Sequence, residues 1–316
     1  MHQSFQTKNT NKMAQNLDNL VGVIVPMVTP VTKNGMVDQL HAKKLINFLL
    51  DNGTIPFIMG TTGEATSLSI DERDVFVKIL IENQRQNRPL IVGVIGLSYN
   101  ETIKEANKYL SWGIDAVVIT LANYYQLTDE QMFSYFLGLS ENINGNIIIY
   151  NIPKTIHMSI PLEVVDRLSR VKNIIGIKDS EMNEERLEKS LALWKERTDF
   201  KHFVGVNSLM AKGLQLGTDG LVPSTGNLQP DLYTKLFELG KEGNMNDAVF
   251  IQEESNKLSK IYQEGKTLGE SIAALKVILF EMNLCQPWML SPLTQLSDIE
   301  ANDILVKFKT YSSKKQ

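Results

Sequence analysis

The sequence has a single cysteine, no excess of basic charge and no long apolar run. Its single cysteine, Cys285, cannot form an intrachain disulfide, which favours a reducing cytoplasmic location. The net charge of −4 and the pI near 5.7 provide no basic surface for nucleic acid. No uninterrupted apolar stretch approaches the roughly 20 residues that span a membrane. We therefore expect a cytoplasmic protein with neither a nucleic-acid partner nor a membrane partner.

Motifs for bound cofactors are also missing. The sequence contains neither a P-loop nor a GxGxxG motif, so we expect no nucleotide cofactor. The histidines form no HxH or HxxxH pair that would indicate a metal site; they are His2, His41, His157 and His202. If the protein is an enzyme, its chemistry is therefore expected to use ordinary side chains.

What the chain does show is a regular alternation of short, apolar, β-branched runs with helical patterns. Such runs are typical of strands buried on both faces in a parallel sheet. Eight strand–helix units in one series, with no Pro-, Gly- or Ser-rich linker, predict a (β/α)8 TIM barrel rather than two open α/β domains. The predicted strands are residues 21–29, 56–60, 90–96, 116–121, 146–152, 173–179, 202–206 and 220–225.

Helix boundaries in the sequence support this pattern. Ser69 and Thr128 each precede acidic residues at a predicted helix start, and Gly53 and Gly113 are placed to end helices. After the eighth unit the chain predicts three more helices and no strand, at residues 244–264, 268–284 and 297–309. The expected divisions are a flexible N-terminal tail (1–19), the barrel (20–243), a C-terminal three-helix extension (244–310) and a frayed tail (311–316).

Candidate functional residues follow the predicted strands, at the end where barrel enzymes carry their active sites. The motif GTTGE at residues 60–64 follows strand two, and Tyr124 and Tyr125 follow strand four. The run YNIP at residues 150–153 ends strand five, and Lys178 ends strand six. These groups are therefore expected to lie together at one end of the barrel.

Lys178 ends the apolar run NIIGIKD, where an ammonium group is costly to desolvate. Burial lowers the proton affinity of a lysine, and a neutral amine attacks a ketone to form a Schiff base. Tyr150 could shuttle protons, and the turn Gly60–Gly63 could bind a carboxylate through its backbone N–H groups. The alternatives are a lysine whose stem reaches water, a tyrosine of the core and a simple tight turn. Their combination at one end of the barrel favours a functional site.

Three motifs carry a resemblance to a known family: GTTGE at 60–64, YNIP at 150–153 and GIKDS at 176–180. In this order and spacing, they make the chain resemble the dihydrodipicolinate synthase / N-acetylneuraminate lyase family of class I, pyruvate-dependent aldolases. The resemblance runs from about residue 20 to 295. It implies a barrel with C-terminal helices, assembled as a homotetramer or homodimer. It also implies a keto acid and an aldehyde as substrates, and no cofactor beyond a covalent lysine imine with pyruvate.

The resemblance also assigns roles to residues of this chain. Lys178 would form the Schiff base with pyruvate, and Tyr150 would transfer protons. Thr61 and Thr62 would bind the carboxylate, and Tyr125 would complete a hydroxyl relay across a subunit interface. The expected catalytic set is Lys178, Tyr150, Thr61 and Tyr125. The expected substrate contacts are Thr62, Gly63, Val222 (through its carbonyl), Ser180, Thr155 and Asn207.

The sequence departs from each branch of the family at substrate positions. Dihydrodipicolinate synthases carry an arginine five residues after the strand-five tyrosine, whereas this chain has Thr155 there and Lys154 as the nearest cation. A lysine cannot reproduce the bidentate grip of a guanidinium group. YNIP and Ser180 are closer to the neuraminate lyase and 2-keto-3-deoxy sugar acid aldolase branches. However, the acidic pair that follows strand seven in neuraminate lyases is here Asn207-Ser208.

We therefore expect a lyase that forms or cleaves a carbon–carbon bond between pyruvate and an aldehyde, with a 2-keto-3-deoxy sugar acid or a sialic-acid-like substrate. One alternative is 4-hydroxy-tetrahydrodipicolinate synthase, which joins pyruvate to aspartate semialdehyde. Others are a dehydratase using the same imine and a keto-acid sensor without turnover. A sensor is disfavoured because simple binding does not need Lys178, Tyr150 and Tyr125 together. The physiological direction of the reaction stays open.

Overall fold

A computed structural model of the chain describes residues 19–85, 88–122 and 124–314. The expected flexible tail, residues 1–19, lies outside the described residues except for its last position. The described chain folds as eight parallel strands with helices between them, followed by further helices.

The eight strands close into a barrel in sequence order, and β8 pairs with β1 through Gly22–Gly220 and Val23–Leu221. All residues of β2, β3, β4 and β6 are buried, as expected for a parallel sheet covered by helices outside and packed side chains inside. The predicted (β/α)8 barrel is therefore confirmed. The strands are Gly22–Pro26 (β1), Ile55–Ile58 (β2), Ile91–Gly93 (β3), Ala116–Thr120 (β4), Asn146–Asn151 (β5), Ile174–Asp179 (β6), Lys201–Val204 (β7) and Gly220–Leu221 (β8).

Side-chain caps fix the starts of several helices. Ser69 Oγ accepts the N–H of Glu72, and Thr128 forms a reciprocal capping box with Gln131. Both starts were predicted from the sequence. The helices of the barrel are Gln39–Asp51 (α1), Ile70–Glu82 (α2), Tyr99–Ser111 (α3), Asp129–Asn142 (α4), Pro153–Ile156 (α5), Leu162–Leu168 (α6), Glu184–Leu193 (α7), Met210–Leu216 (α8) and Pro230–Lys241 (α9).

The eighth strand is shorter than the sequence indicated. β8 comprises two residues, whereas the apolar run predicted a strand over 220–225. Pro223 has no N–H to donate to a ladder, and the chain turns directly into a short 3-10 helix at Ser224–Asn227. This early turn brings Ser224 to the active-site end of the barrel.

Three helices follow the barrel, as predicted: Met245–Gln263 (α10), Leu268–Glu281 (α11) and Asp298–Ser313 (α12). Leu258 of α10, Ile278 of α11 and Ile304 of α12 belong to one hydrophobic core with the barrel strands. The second helix ends three residues before the predicted position 284. Asn283 there adopts a left-handed conformation (φ 57°), which an asparagine tolerates at a helix end.

The third helix extends four residues beyond its predicted end at 309. Consequently the first part of the expected frayed tail, residues 311–316, is helical as far as Ser313. The cause is Tyr311, whose ring packs against the hydrophobic core and whose hydroxyl donates to Gln229 Oε1 at 3.5 Å. Residues 315–316 lie outside the described chain.

Candidate active site

Lys178 lies near the C-terminal end of β6, on the inner face of the barrel. A void of about 10 Å³ in the barrel interior is lined by one residue from, or directly after, each strand. Within this ring of described residues, Lys178 is the one charged side chain. The ring consists of Ile24, Phe57, Ile91, Val118, Ile148, Lys178, Phe203 and Val222.

The surroundings of Lys178 are apolar and aromatic. The residue is 6% exposed and forms no ion pair with a carboxylate in the described chain. Its Nζ atom lies 3.5 Å from the ring centroid of Tyr150 and 5.6 Å from that of Phe57. Gly60 leaves room for the Phe57 ring, because a Cβ at position 60 would lie 2.9 Å from it. Burial lowers the pKa of the Lys178 ammonium below its ordinary value of 10.5, and Tyr150 opposes this only in part.

Tyr150 lies directly opposite Lys178 in the pairing of β5 with β6. Its side chain is buried, and its hydroxyl oxygen lies 3.3 Å from Thr61 Oγ1, in hydrogen-bond contact. Thr61 belongs to the turn after β2, so the barrel joins residues that are distant in sequence. The phenol and threonine hydroxyls therefore form a hydrogen-bonded pair beside the Lys178 amine, along which a proton can move.

The outer face of the same strand pair carries a polar network. Asn151 Nδ2 donates to Asp179 Oδ1 at 2.8 Å and to Glu181 Oε2 at 3.1 Å. Arg186 Nε donates to Asp179 Oδ2 at 2.7 Å. These bonds hold β5 and β6 in register one residue beyond Tyr150 and Lys178. The carboxylates next to the active site are therefore paired on the outside of the barrel, away from the Lys178 amine.

The GTTGE turn uses part of its backbone for its own hydrogen bonds. The Gly63 N–H donates to the Gly60 carbonyl at 3.1 Å, and the Glu64 N–H donates to the Thr61 carbonyl at 3.1 Å. The Gly63 N–H is therefore already bonded within the turn, and the role of Gly63 as a substrate contact stays a prediction. The N–H groups of Thr61 and Thr62 donate to no acceptor among the described residues, and the role of this threonine pair as carboxylate ligands stays a prediction.

Glu64 ties the turn to the C-terminal helices. Its carboxylate forms a fully buried ion pair with Lys276 of α11 and accepts the N–H of Leu290 at 2.8 Å. Lys276 Nζ also donates to the Trp288 carbonyl at 2.9 Å. The end of the GTTGE motif therefore anchors the turn in the fold.

A cavity of about 700 Å³ opens beside Thr61, and Tyr125 and Thr155 also line it. Tyr125 is 73% exposed, and its ring meets that of Tyr124 edge to face at 5.0 Å between centroids. In the described part of the chain, no hydrogen bond joins Tyr125 to Thr61. The relay expected from Tyr125 is therefore not closed within one chain, and its action across an interface stays a prediction.

A second cavity, of about 170 Å³, borders the same turn at Thr62. Thr62 and Ser224 border it together with residues of α10 and α11. Lys178 lines neither cavity, but Thr61 borders the first and Thr62 the second. The full lining is Thr62, Lys154, Ser224, Tyr262, Gln263, Leu268, Ser271, Ile272 and Leu275.

Two other expected substrate contacts are Val222 and Ser180. Val222 lies near Lys178 in space, and Ser180 lies near it in the chain. Val222 is buried and belongs to the interior ring that contains Lys178. Ser180 follows β6, and its Oγ atom packs so closely on Gly205 that no side chain would fit there. Their roles as ligands stay predictions.

Asn207 does not join this group. Its Nδ2 donates to Ser255 Oγ at 3.3 Å and to Asn256 Oδ1 at 3.0 Å, and its Oδ1 accepts the Tyr233 hydroxyl at 2.7 Å. The amide is thus engaged on both sides by α9 and α10. The role of Asn207 as a substrate contact stays a prediction, and it would require the amide to exchange one of these bonds.

Sequence reasoning missed three contributors to this region. The sequence pattern indicates Phe57 only as a strand residue and Ser224 only as part of the last strand. The third is the Glu64–Lys276 pair. Lys276 interrupts the apolar run SIAALKVILF, the same kind of signal that singled out Lys178. A charged residue within an apolar run therefore indicated a structural or functional role at both Lys178 and Lys276.

Metal-binding clusters and membrane-spanning helices are two further features that bear on the class of protein. Within the described residues, no group of three or more His, Cys, Asp or Glu side chains is placed to hold a metal ion. No helix among them is long and apolar enough to cross a membrane.

Comparison with known proteins places this site in a family. The model of the Dihydrodipicolinate synthetase family matches residues 19–310. An uncharacterized DapA-like lyase of Pyrococcus horikoshii is 33% identical over 255 residues, which cover 79% of this chain and 87% of the relative. The 4-hydroxy-tetrahydrodipicolinate synthase of Thermosipho africanus is 32% identical over 241 residues, covering 76% and 82% of the two chains.

A solved structure shares the fold. The chloride-inhibited dihydrodipicolinate synthase of Acinetobacter baumannii, complexed with pyruvate, superposes with a TM-score of 0.83 at 25% identity. The match covers 93% of this chain and 99% of that one. The resemblance inferred from the three sequence motifs is thus confirmed: the chain belongs to the dihydrodipicolinate synthetase family and is a carbon–carbon lyase of the aldolase type.

Proposed function

We propose that the protein is a class I aldolase in which Lys178 forms a Schiff base with pyruvate, and that the resulting enamine is joined to, or released from, an aldehyde. The observation that carries this proposal is the environment of Lys178. The amine is buried, has no carboxylate partner in the described chain and touches a phenol that is itself hydrogen-bonded to Thr61. The pyruvate complex of the Acinetobacter baumannii relative supports the choice of keto acid.

The first half of the reaction forms the imine. The neutral Lys178 amine attacks C2 of pyruvate, and the C2 oxygen takes up a proton to give a carbinolamine. Tyr150 lies against Lys178 and is positioned to supply the proton with which the hydroxyl leaves as water. The Thr61 hydroxyl then gives a proton to Tyr150, and Thr61 in turn takes up a proton from the side of the larger cavity.

The second half makes or breaks the carbon–carbon bond. Loss of a proton from C3 of the imine gives an enamine, which attacks the aldehyde carbon while the aldehyde oxygen takes up a proton. Water then hydrolyses the imine, releases the keto acid product and regenerates the Lys178 amine. Cleavage follows the same steps in reverse. Thr61 and Thr62 are proposed to hold the pyruvate carboxylate, through N–H groups that have no acceptor among the described residues.

The proposed assembly follows from Tyr125. Its exposed ring, together with that of Tyr124, supports a homodimer or homotetramer in which a tyrosine of one subunit completes the relay of another. We keep the cytoplasm as the proposed location because the single cysteine is buried and unpaired.

For the aldehyde, we propose a polyhydroxylated partner, so that the keto acid product is a 2-keto-3-deoxy sugar acid. Thr155 borders the larger cavity with a hydroxyl and offers no fork of N–H donors for a carboxylate. The name of the Thermosipho africanus relative keeps 4-hydroxy-tetrahydrodipicolinate synthase as the second candidate. Losing a bidentate, charge-assisted contact costs about 1.5–3 kcal/mol, which disfavours aspartate semialdehyde here.

Steady-state kinetics on one preparation test this choice. We expect kcat/KM for cleavage of 2-keto-3-deoxygluconate to exceed that for condensation of pyruvate with aspartate semialdehyde by at least about tenfold, or 1.4 kcal/mol. The substitution Thr155→Arg should lower this ratio, in favour of the semialdehyde. If the wild-type protein prefers the semialdehyde, 4-hydroxy-tetrahydrodipicolinate synthase becomes the better assignment. Release of a dehydrated keto acid without an aldehyde would instead show a dehydratase.

A further inference from the structure

The barrel interior next to Lys178 is filled by two phenyl rings. Phe57 on β2 and Phe203 on β7 are each 1% exposed and are among the eight residues that line the 10 Å³ void. Phe203 lies opposite Lys178 in the pairing of β6 with β7, so it flanks the lysine on the side away from Tyr150. Phe57 lies across the barrel, and its ring centroid is 5.6 Å from Lys178 Nζ. Lys178 therefore has an aromatic neighbour on each adjacent strand and a third on the opposite strand.

Two glycines make room for these side chains. A Cβ atom at Gly60 would lie 2.9 Å from the Phe57 ring, and one at Gly220 would lie 2.9 Å from the Phe203 ring. Gly220 also pairs directly with Phe203 in the register of β7 with β8. Because protein interiors are close-packed, a larger residue at either glycine would displace the phenyl ring beside it. The two rings therefore occupy closely fitted positions.

The space that the rings leave beside Lys178 is too small and too apolar for water. The void measures about 10 Å³, which is at the lower limit for one water molecule. A buried water also needs about two to four polar partners, and Lys178 is the one lining residue with a polar side chain. On its interior side, the amine therefore faces apolar side chains and no solvent.

From this arrangement we infer that Phe57 and Phe203 are positioning residues of the Schiff-base reaction, whose rings exclude water from the interior side of Lys178. The inference rests on the proposed function and adds two residues to it. Both rings act through the amine and take no part in the bonds that form or break. Without water on this side, an ammonium loses hydration that nothing in the barrel replaces, so the neutral, nucleophilic amine is favoured.

The ionisable neighbours of Lys178 do not depend on the two rings. Within the described residues, Tyr150 is the titratable group that faces the amine, from β5. Asp179 on β6 and His202 on β7 lie on the outer face of the barrel, where each has polar partners of its own. In the turn after β2, the Glu64 carboxylate is paired with a lysine of α11. Truncating either phenyl ring therefore changes the hydration of the amine and leaves these contacts in place.

The pH dependence of imine formation tests the inference. Borohydride reduction after timed intervals measures the rate at which the protein forms an imine with pyruvate, and this rate falls at low pH as the amine becomes protonated. Phe57→Ala and Phe203→Ala open space for water beside the amine, so we expect the acid limb of the profile to move up by about one pH unit in each. At a fixed pH on that limb the rate should fall about tenfold, and it should recover at higher pH.

Two further variants show whether the effect belongs to these rings. Phe57→Met fills the same place with an unbranched apolar side chain and should retain the acid limb of the wild type. Phe76→Ala is the matched control, because Phe76 is a fully buried phenylalanine of α2, outside the barrel. It should lose stability as the other alanine variants do and keep the wild-type limb. If the alanine variants at the barrel interior do not fold, Phe57→Leu and Phe203→Leu supply the same test with a shift of about half a unit.

An acid limb that stays at the wild-type position in the Phe57 and Phe203 variants would overturn the inference, and so would an equal shift in Phe76→Ala. The proposed function survives either result as long as the wild type traps pyruvate on Lys178. If the wild type traps no pyruvate, the proposed function fails and the inference fails with it. The two kinds of failure are therefore distinguishable on the same preparations.

Discussion

Two lysines of this protein lie in apolar surroundings, and they differ in what accompanies them. Lys178, on the inner face of β6, is 6% exposed and has no carboxylate partner among the described residues. Lys276, on α11, is fully buried, forms an ion pair with Glu64 and donates to the Trp288 carbonyl. Both lysines are therefore buried, but of the two only Lys276 has a carboxylate counter-ion among the described residues.

The difference shows what makes a buried amine reactive. The Nζ atom of Lys276 is engaged by the Glu64 carboxylate and the Trp288 carbonyl, so it is not open to a substrate carbonyl. Lys178 faces aromatic rings instead, and burial lowers its pKa. Lys178 keeps surroundings without a carboxylate because the nearby Asp179 is paired with Arg186 and Asn151 on the outer face of the barrel. We conclude that Lys178 is suited to chemistry and Lys276 to stability.

Replacing the first lysine should have the largest effect on activity. Lys178→Met removes the proposed nucleophile, and we expect kcat to fall by about 10⁴-fold or more. The free energy of unfolding should stay the same or rise by about 1–3 kcal/mol, because a buried group without a counter-ion is replaced by an apolar one of similar size. Kinetics and denaturant unfolding measure the two effects. Substantial activity in Lys178→Met would show that Lys178 is not the nucleophile and would contradict the contrast drawn between Lys178 and Lys276.

Removing the phenol beside Lys178 should have the next largest effect. Tyr150→Phe keeps the ring in place but deletes the group that contacts Thr61, so kcat should fall by about 10²–10⁴-fold. Tyr109→Phe is a matched control, because Tyr109 is a buried tyrosine of α3 that hydrogen-bonds to Glu105. It should lose stability and retain kcat. Near-normal turnover in Tyr150→Phe would make Tyr150 a residue of the core.

Replacing the second lysine should change stability far more than chemistry. Lys276→Met leaves the Glu64 carboxylate buried without its cation, which should lower the free energy of unfolding by about 3–5 kcal/mol. In the folded fraction, trapping of pyruvate should persist. The double variant with Glu64→Gln should recover about half of the loss or more, because no unpaired buried charge remains. If the double variant is no more stable than Lys276→Met, the pair does not anchor the turn as described.

The sequence predicted the barrel, and it marked the residues that the structure brings together around Lys178, because these signals are local. β-Branched runs, caps such as Ser69 and Thr128, and three motifs at the ends of strands each act over a few residues. The Glu64–Lys276 pair could not be predicted in the same way, because it depends on how α11 packs over the turn after β2. The hydrogen bonds of Asn207 could not be predicted for a similar reason: its partners lie on helices about 25 and 50 residues further along the chain. The cavity beside Lys154 likewise exists only once α10 and α11 are in place.

Borohydride reduction in the presence of pyruvate, followed by peptide mapping, tests the central claim most directly. Reduction fixes an imine as a stable amine, so the modified lysine identifies the nucleophile. The structure predicts one reduced pyruvyl group on Lys178 and none on Lys276. An adduct on Lys276 or on any other lysine, or no adduct at all, would contradict the assignment of Lys178 as the Schiff-base residue.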